Sequence, residues 1–171
     1  ALRPHQWAKN LLLFVPMIAG HRFDLVTVLQ TAIGFVALSL TASAVYILND
    51  LSDLDSDRKH PAKQKRPLAS GDLSIISGTV LFLALLVAGL VLACIYLPRS
   101  FVYVLAGYFV ANVFYSAFLK QRPILDVLLL SMMYGLRLEA GGIIGQIELS
   151  EWLLAFSFFF FTSLAFAKRY A

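Results

Sequence analysis

Residues 25–48 are 24 consecutive positions without a charged side chain, and no other feature constrains the fold as much. A helix of that length spans the roughly 30 Å apolar layer of a bilayer. Apolar runs recur at 73–97, 101–119, 124–145 and 152–167, and a shorter one covers 9–20. The chain is 60% hydrophobic and 14% charged, against about 45–50% and about 25% in soluble domains. It therefore reads as a polytopic membrane protein. The expectation is an all-α transmembrane helical bundle, a single domain over 1–171, with about six helices. No soluble domain or low-complexity linker interrupts it. Cys94 stands alone, so no internal disulfide is possible and the redox compartment stays open.

The first ten residues combine Arg3, His5 and Lys9 with Pro4 and Trp7, which reads as interfacial chemistry: basic groups for lipid headgroups and a Trp for the belt. A basic stretch before an apolar one is also the pattern of a signal peptide, but no small-x-small cleavage site follows and the membrane pattern continues. The first helix is expected to be short and partly interfacial. Basic residues then sort by side. If the loop at 49–72 is cytoplasmic, Arg3, Lys9, Arg58, Lys59, Lys63, Lys65, Arg66, Lys120, Arg122, Lys168 and Arg169 lie inside, Arg22 and Arg99 outside, and Arg137 within the membrane. That asymmetry orients the chain with both termini and the loop in the cytoplasm, and the plasma membrane of a bacterium is the expected location. The partners expected from this pattern are membrane lipids, not nucleic acid; self-association as a homo-oligomer is left open.

The chemistry concentrates at 49–71, NDLSDLDSDRKHPAKQKRPLASG, where four aspartates and five Lys/Arg residues interrupt the apolar pattern. On a helix at about 100° per residue, Asn49, Asp50, Asp53 and Asp57 share one face, and Asp55 points away to solvent. Carboxylates crowded on one face repel by tenths of a kcal/mol per pair. A divalent cation removes that repulsion, and Mg²⁺ suits the face because it takes one or two carboxylates and keeps other positions for water and phosphate oxygens. The alternative is a charged, solvated loop that only sets topology. Lys63, Lys65 and Arg66 either hold the loop on anionic lipids or meet a ligand phosphate. His60, a lone loop histidine, is a weak candidate for a general base.

Polar groups on the spans add to this. Arg137 lies inside a run where a charge costs several kcal/mol and ordinarily faces a polar cavity. Asp126 shares its face, about 20° away in projection. Arg137 reads either as a structural ion-pair partner or as a phosphate-binding, cavity-lining group. Asn112, Ser116 and Lys120 form a stripe with Tyr108 and Tyr115 beside it, and Lys120 is either a snorkelling anchor or a phosphate ligand. Gly141-x-x-x-Gly145 and Gly107-x-x-x-Ala111 are read as helix-packing pairs.

The ND-x-x-D-x-x-x-D pattern at 49–57, following a hydrophobic helix, resembles the first aspartate motif of the UbiA superfamily of intramembrane prenyltransferases. Three stretches are similar to its decaprenyl-phosphate phosphoribosyltransferase branch: RPHQWAKN at 3–10, DRKHPAKQKRPLASG at 57–71, and YSAFLK…D…YGLRLEAGG over 115–142. The resemblance covers the whole chain. It implies a nine-helix fold with a second polar motif after helix 6. The chain ends at Ala171, where that segment would begin, so a C-terminally incomplete UbiA-like fold is expected. It also implies Mg²⁺-dependent transfer of 5-phosphoribose from phosphoribosyl diphosphate to a polyprenyl phosphate. Asp50, Asp53 and Asp57 would be the catalytic metal ligands, with Asn49 orienting their face. Lys63, Arg66, Lys120 and Arg137 would carry phosphate charge, and Tyr115 and Asp126 would complete the substrate-binding set. A prenyltransferase with an aromatic acceptor would use the same aspartates; the basic stretches favour a ribose-phosphate donor. A CDP-alcohol phosphotransferase would need an Asp-Gly…Ala-Arg pattern that is absent. A transporter, the non-enzyme alternative, would carry its carboxylates near the bilayer midplane.

Overall fold

The computed structural model describes residues 2–119 and 123–170, and all its regular structure is helical. A 3₁₀ helix, Pro4–Phe14, runs into a short α1, Val15–Ala19. The long α2, Leu25–Ser52, is followed by two short helices, α3 (Leu54–Lys59) and α4 (Pro67–Ser70), and by α5, Ile75–Tyr96. Helix α6, Arg99–Phe114, ends in a π-helical turn at Tyr115–Leu119. Helices α7, Pro123–Gly145, and α8, Glu151–Tyr170, complete the order.

Among the described residues, four helices are long and apolar enough to cross a membrane: Leu25–Ser52, Ile75–Tyr96, Arg99–Ala117 and Ile124–Gly145; the apolar part of α8, Glu151–Ala167, is shorter. The N-terminal segment is short, as expected, and leaves Pro4, His5, Ala8 and Leu11 exposed. It is largely 3₁₀, and one face packs against α2 and α7, with Asn10 and Leu13 buried.

Local chemistry sets the helix ends. Asp24 caps α2 by accepting the Thr27 N–H at 3.0 Å, and that bond holds the Asp24 carboxyl below the usual carboxylate range. Ser74 caps α5 through the Ser77 N–H, and the Ser150 hydroxyl accepts the Leu153 N–H at the start of α8. Hydroxyls inside the bundle bond back one turn, as in Thr41 to the Ala37 carbonyl and Ser131 to that of Val127, which pairs those O–H groups away from water.

Large apolar residues sit on the outer surface as well as in the core. Helix α2 buries small and hydroxylated residues, including Ala37, Thr41, Ser43 and Ala44. Helix α5 turns its large residues outward, Ile76, Val80 and Val87 among them, and buries Gly78, Gly89 and Ala93. A Cβ at Gly89 would stand 2.9 Å from the Ala37 carbonyl oxygen, so α2 and α5 touch backbone to backbone there. Gly141 is tighter: its missing Cβ makes room for the Leu13 carbonyl of the 3₁₀ helix. Gly107, expected as a packing residue, faces open space instead.

Candidate active site

Helix α2 carries Asn49 and Asp50 in its last turn and gives way to α3 at Asp53, whose backbone (φ −90°, ψ 7°) is the junction of the two. The break separates the expected single carboxylate face into two groups. Asp50 and Asp57 are buried and converge on one arginine, with the Arg66 Nη1 2.5 Å from Asp57 Oδ2 and 3.2 Å from Asp50 Oδ1. Asn49 and Asp53 instead line a cavity of about 250 Å³, together with Ser52 on α2 and Val113, Ser116 and Ala117. Asp55 is exposed.

Arg66 reaches the aspartates because of two neighbours. Pro67 disfavours the helical region at the residue before it, and Arg66 is extended (φ −68°, ψ 142°). Leu68, 2% exposed, packs over Gly78 of α5 and pins α4 to the bundle. Leu68 is thus an apolar anchor of the charged loop beside the ion pairs of Arg66, a role the loop's composition does not advertise. His60 Nδ1 accepts the Ala62 N–H, a turn-closing bond. Lys63 Nζ stands 3.9 Å from Asp57 Oδ1.

A third cation arrives from the N-terminus. Arg3 Nη2 donates to Asp50 Oδ1 at 2.7 Å, and its guanidinium lies 5.0 Å from the centre of the Tyr46 ring. Its backbone is left-handed (φ 49°), a conformation that costs an L-residue about 1 kcal/mol. The same 3₁₀ helix is stitched along α2: Trp7 Nε1 donates to the Ser43 hydroxyl at 3.0 Å and Asn10 Nδ2 to that of Ser39 at 3.0 Å. Arg3, Trp7 and Asn10 of RPHQWAKN thus bond to α2, while Pro4, His5 and Ala8 are exposed. The spacing Arg3, Trp7, Asn10 matches the polar stripe Ser39, Ser43, Asp50 running antiparallel on α2, a signal that sequence reading passed over.

Two buried carboxylates meet three cations here, so the cluster is net positive and suits an anion. Asp57 Oδ1 is buried and has no hydrogen-bond partner. An unpartnered hard oxygen of this kind fits a metal such as Mg²⁺. Among the described residues no three His, Cys, Asp or Glu side chains converge as ligands, and Asp53 lines the adjoining cavity.

The remaining candidates lie elsewhere. Lys120 is outside the described residues. Tyr115, in the π turn, donates to Asp126 Oδ1 at 2.6 Å and ties that turn to α7 beside the Asn49–Asp53 cavity. Arg137 is buried and pairs with no carboxylate among the described residues. It donates to Asn10 Oδ1 (2.9 Å), the Met133 carbonyl (2.5 Å) and the Tyr108 hydroxyl (3.1 Å), between the rings of Tyr108 and Tyr134. Through Asn10 it sits level with Ser39, eleven residues from Asp50 on α2 and so about 16 Å along the axis. The structure does not bring it to the aspartates. A recess of about 590 Å³ at the other end of α7, lined by Glu139 and Glu148, is equally remote.

The family model of the UbiA prenyltransferase family matches residues 11–171. The chain belongs to the UbiA prenyltransferase family. It is 37% identical over 175 residues to a decaprenyl-phosphate phosphoribosyltransferase of Corynebacterium glutamicum, covering all of this chain and 53% of that one. It is 39% identical over 170 residues to nodulation protein NoeC of Azorhizobium caulinodans, covering 99% of this chain and 55% of that protein. The chain thus spans about half the length of these relatives. The fold is similar to that of a UbiA homolog from Archaeoglobus fulgidus bound to DMAPP and Mg²⁺, with a TM-score of 0.78 at 23% identity over 95% of this chain and 59% of that one.

Proposed function

We propose that this chain carries the metal–diphosphate site of a Mg²⁺-dependent intramembrane transferase that moves 5-phosphoribose from phosphoribosyl diphosphate to a polyprenyl phosphate. The observation that carries this reading is the convergence of Asp50 and Asp57 with Arg3, Lys63 and Arg66 at the end of a membrane-length helix. The 37% identity to a decaprenyl-phosphate phosphoribosyltransferase favours this donor over a prenyl diphosphate.

In the reaction an oxygen of the lipid phosphate attacks the anomeric carbon, the carbon–oxygen bond to diphosphate breaks, and diphosphate leaves with the bonding electrons. Mg²⁺ held by Asp50 and Asp57 would neutralise charge on that leaving group. Arg66 and Lys63 bind its oxygens and offset charge that grows as the bond breaks, while Arg3 stays on Asp50. Asn49 and Asp53 line the adjoining cavity, and the Tyr115–Asp126 bond braces its wall. Arg137 acts by position: it holds Asn10, and through the 3₁₀ helix it sets where Arg3 meets Asp50. Catalysis of this kind is mainly orientation and electrostatics. The loop and both termini are assigned to the cytoplasm on the distribution of basic residues.

The test is membranes carrying the full-length protein, given labelled phosphoribosyl diphosphate with polyprenyl phosphate or labelled prenyl diphosphate with an aromatic acid. Label is expected in lipid only in the first mixture, and only with Mg²⁺. Label in the prenylated aromatic product would establish the alternative donor.

A further inference from the structure

We propose that Arg66 is a resident counter-cation which trades partners on ligand binding. The Asp50 and Asp57 carboxylates pass from guanidinium to metal while the guanidinium passes from carboxylates to diphosphate oxygens. This inference rests on the metal–diphosphate reading above and concerns how that site is kept between turnovers.

The geometry of the pair motivates it. Arginine–carboxylate pairs frequently present two parallel N–H groups to one carboxylate. Here a single nitrogen, Nη1, lies between two carboxylates, 3.2 Å from Asp50 Oδ1 and 2.5 Å from Asp57 Oδ2, so one cationic group serves both. The arrangement leaves Asp57 Oδ1 buried with no hydrogen bond, and Lys63 at 3.9 Å is beyond donor distance. The two carboxylates are fixed, at 3% and 1% exposure on α2 and α3. Arg66 is 28% exposed, ahead of the four-residue helix α4, so the arginine is the partner free to move. Arg3 reaches Asp50 from a different element, which keeps that carboxylate covered while Arg66 leaves.

A consequence separates this from ordinary phosphate binding. Metal alone must evict Arg66 and leave its guanidinium unpaired. Diphosphate alone must strip Arg66 from two buried carboxylates. Each ligand is therefore resisted without the other, and removing the arginine relieves the resistance to metal.

The experiment measures Mn²⁺ alone, counted as free ion by electron paramagnetic resonance, on the protein in detergent. Arg66→Gln is expected to bind Mn²⁺ about tenfold more tightly than wild type, the effect of releasing one partly buried charge pair. Arg3→Gln is expected to tighten binding in the same direction and keeps the test available if Arg66→Gln does not fold. Lys59→Gln removes the same charge from an exposed position on α3 and is expected to change binding by less than about twofold. When inorganic diphosphate is added, Arg66→Gln is expected to become the weaker binder of the metal–diphosphate pair. Equal Mn²⁺ affinity in wild type, Arg66→Gln and Arg3→Gln overturns the exchange and leaves the site reading intact. So does a Lys59→Gln effect as large as that of Arg66→Gln. If no form binds Mn²⁺ with or without inorganic diphosphate, the metal–diphosphate reading falls and the exchange falls with it.

Discussion

Asp57 and Asp55 lie two residues apart in α3, and their environments are opposite. Asp57 is buried against Arg66 and Lys63; Asp55 is exposed. Asp57→Asn is expected to cut turnover roughly a hundredfold or more and to lower the thermal midpoint, because it leaves Arg66 facing a neutral amide. Asp55→Asn is expected to stay within about 0.5 kcal/mol of wild type in stability and to keep activity. Assay and thermal unfolding in detergent on the two variants check this, and equal sensitivity would mean that the carboxylate grouping is wrong. Arg137 makes a different case. Its charge is met by an amide oxygen, a carbonyl, a hydroxyl and two rings, all neutral. Arg137→Lys keeps the charge and loses the planar fork, so a stability loss of about 2 kcal/mol or more is expected from its broken charge-assisted bonds. Activity per folded molecule should fall less than the folded fraction does. Turnover lost without any shift in thermal midpoint would instead mark Arg137 as a direct substrate ligand.

At the scale of elements, the site depends on two small pieces docking onto long helices. The 3₁₀ helix seats its backbone in the notch at Gly141, and α4 seats Leu68 over Gly78. Gly141→Ala puts a methyl group into the Leu13 carbonyl and is expected to cost about 1–3 kcal/mol. Gly107→Ala meets nothing within 4 Å and should be neutral or stabilising by up to about 1 kcal/mol through helix propensity. Paired thermal melts of these two variants test whether the notch, not glycine content as such, is what matters. A similar drop in both would show that it is not. Leu68→Ala, a deletion of about 2–5 kcal/mol in a fully packed site, is expected to release Arg66 and weaken inorganic diphosphate binding while leaving the helical circular dichroism unchanged.

The whole molecule shows its solvent in the side chains it exposes. Ile76, Val80, Val87, Phe156, Phe159 and Trp152 stand outward on α5 and α8, as lipid-facing residues do, while glycines, alanines and hydroxyls share the interior with large apolar residues such as Leu13, Phe101 and Leu105. The orientation proposed above from the distribution of basic residues is open to a direct test. A cysteine placed at Ser56, exposed in α3, is expected to resist a membrane-impermeant thiol reagent added outside intact cells and to react once the cells are opened. Labelling from outside would reverse the assignment.

Helical class and a membrane environment followed from the sequence alone, because the length of a charge-free run is a physical requirement for crossing a bilayer and needs no knowledge of packing. The aspartate stretch was legible for the same reason: so many charges at the end of such a run demand an explanation in ions or water. Contacts between distant segments were not legible. On a helical wheel Asp50, Asp53 and Asp57 form one face, but only the break at Asp53 and the docking of α4 decide that Asp50 and Asp57 share Arg66 while Asp53 opens onto a separate cavity. Arg137 and Asp126 share a face of α7, yet each takes its partner from elsewhere, Asn10 and Tyr108 for one and Tyr115 for the other. RPHQWAKN carries the composition of a lipid interface, but with Gly141 leaving room for its backbone it lies along α2 and delivers Arg3 to Asp50. Periodicity describes one helix at a time; which polar group answers which is settled only when helices far apart in the chain are brought within hydrogen-bonding distance.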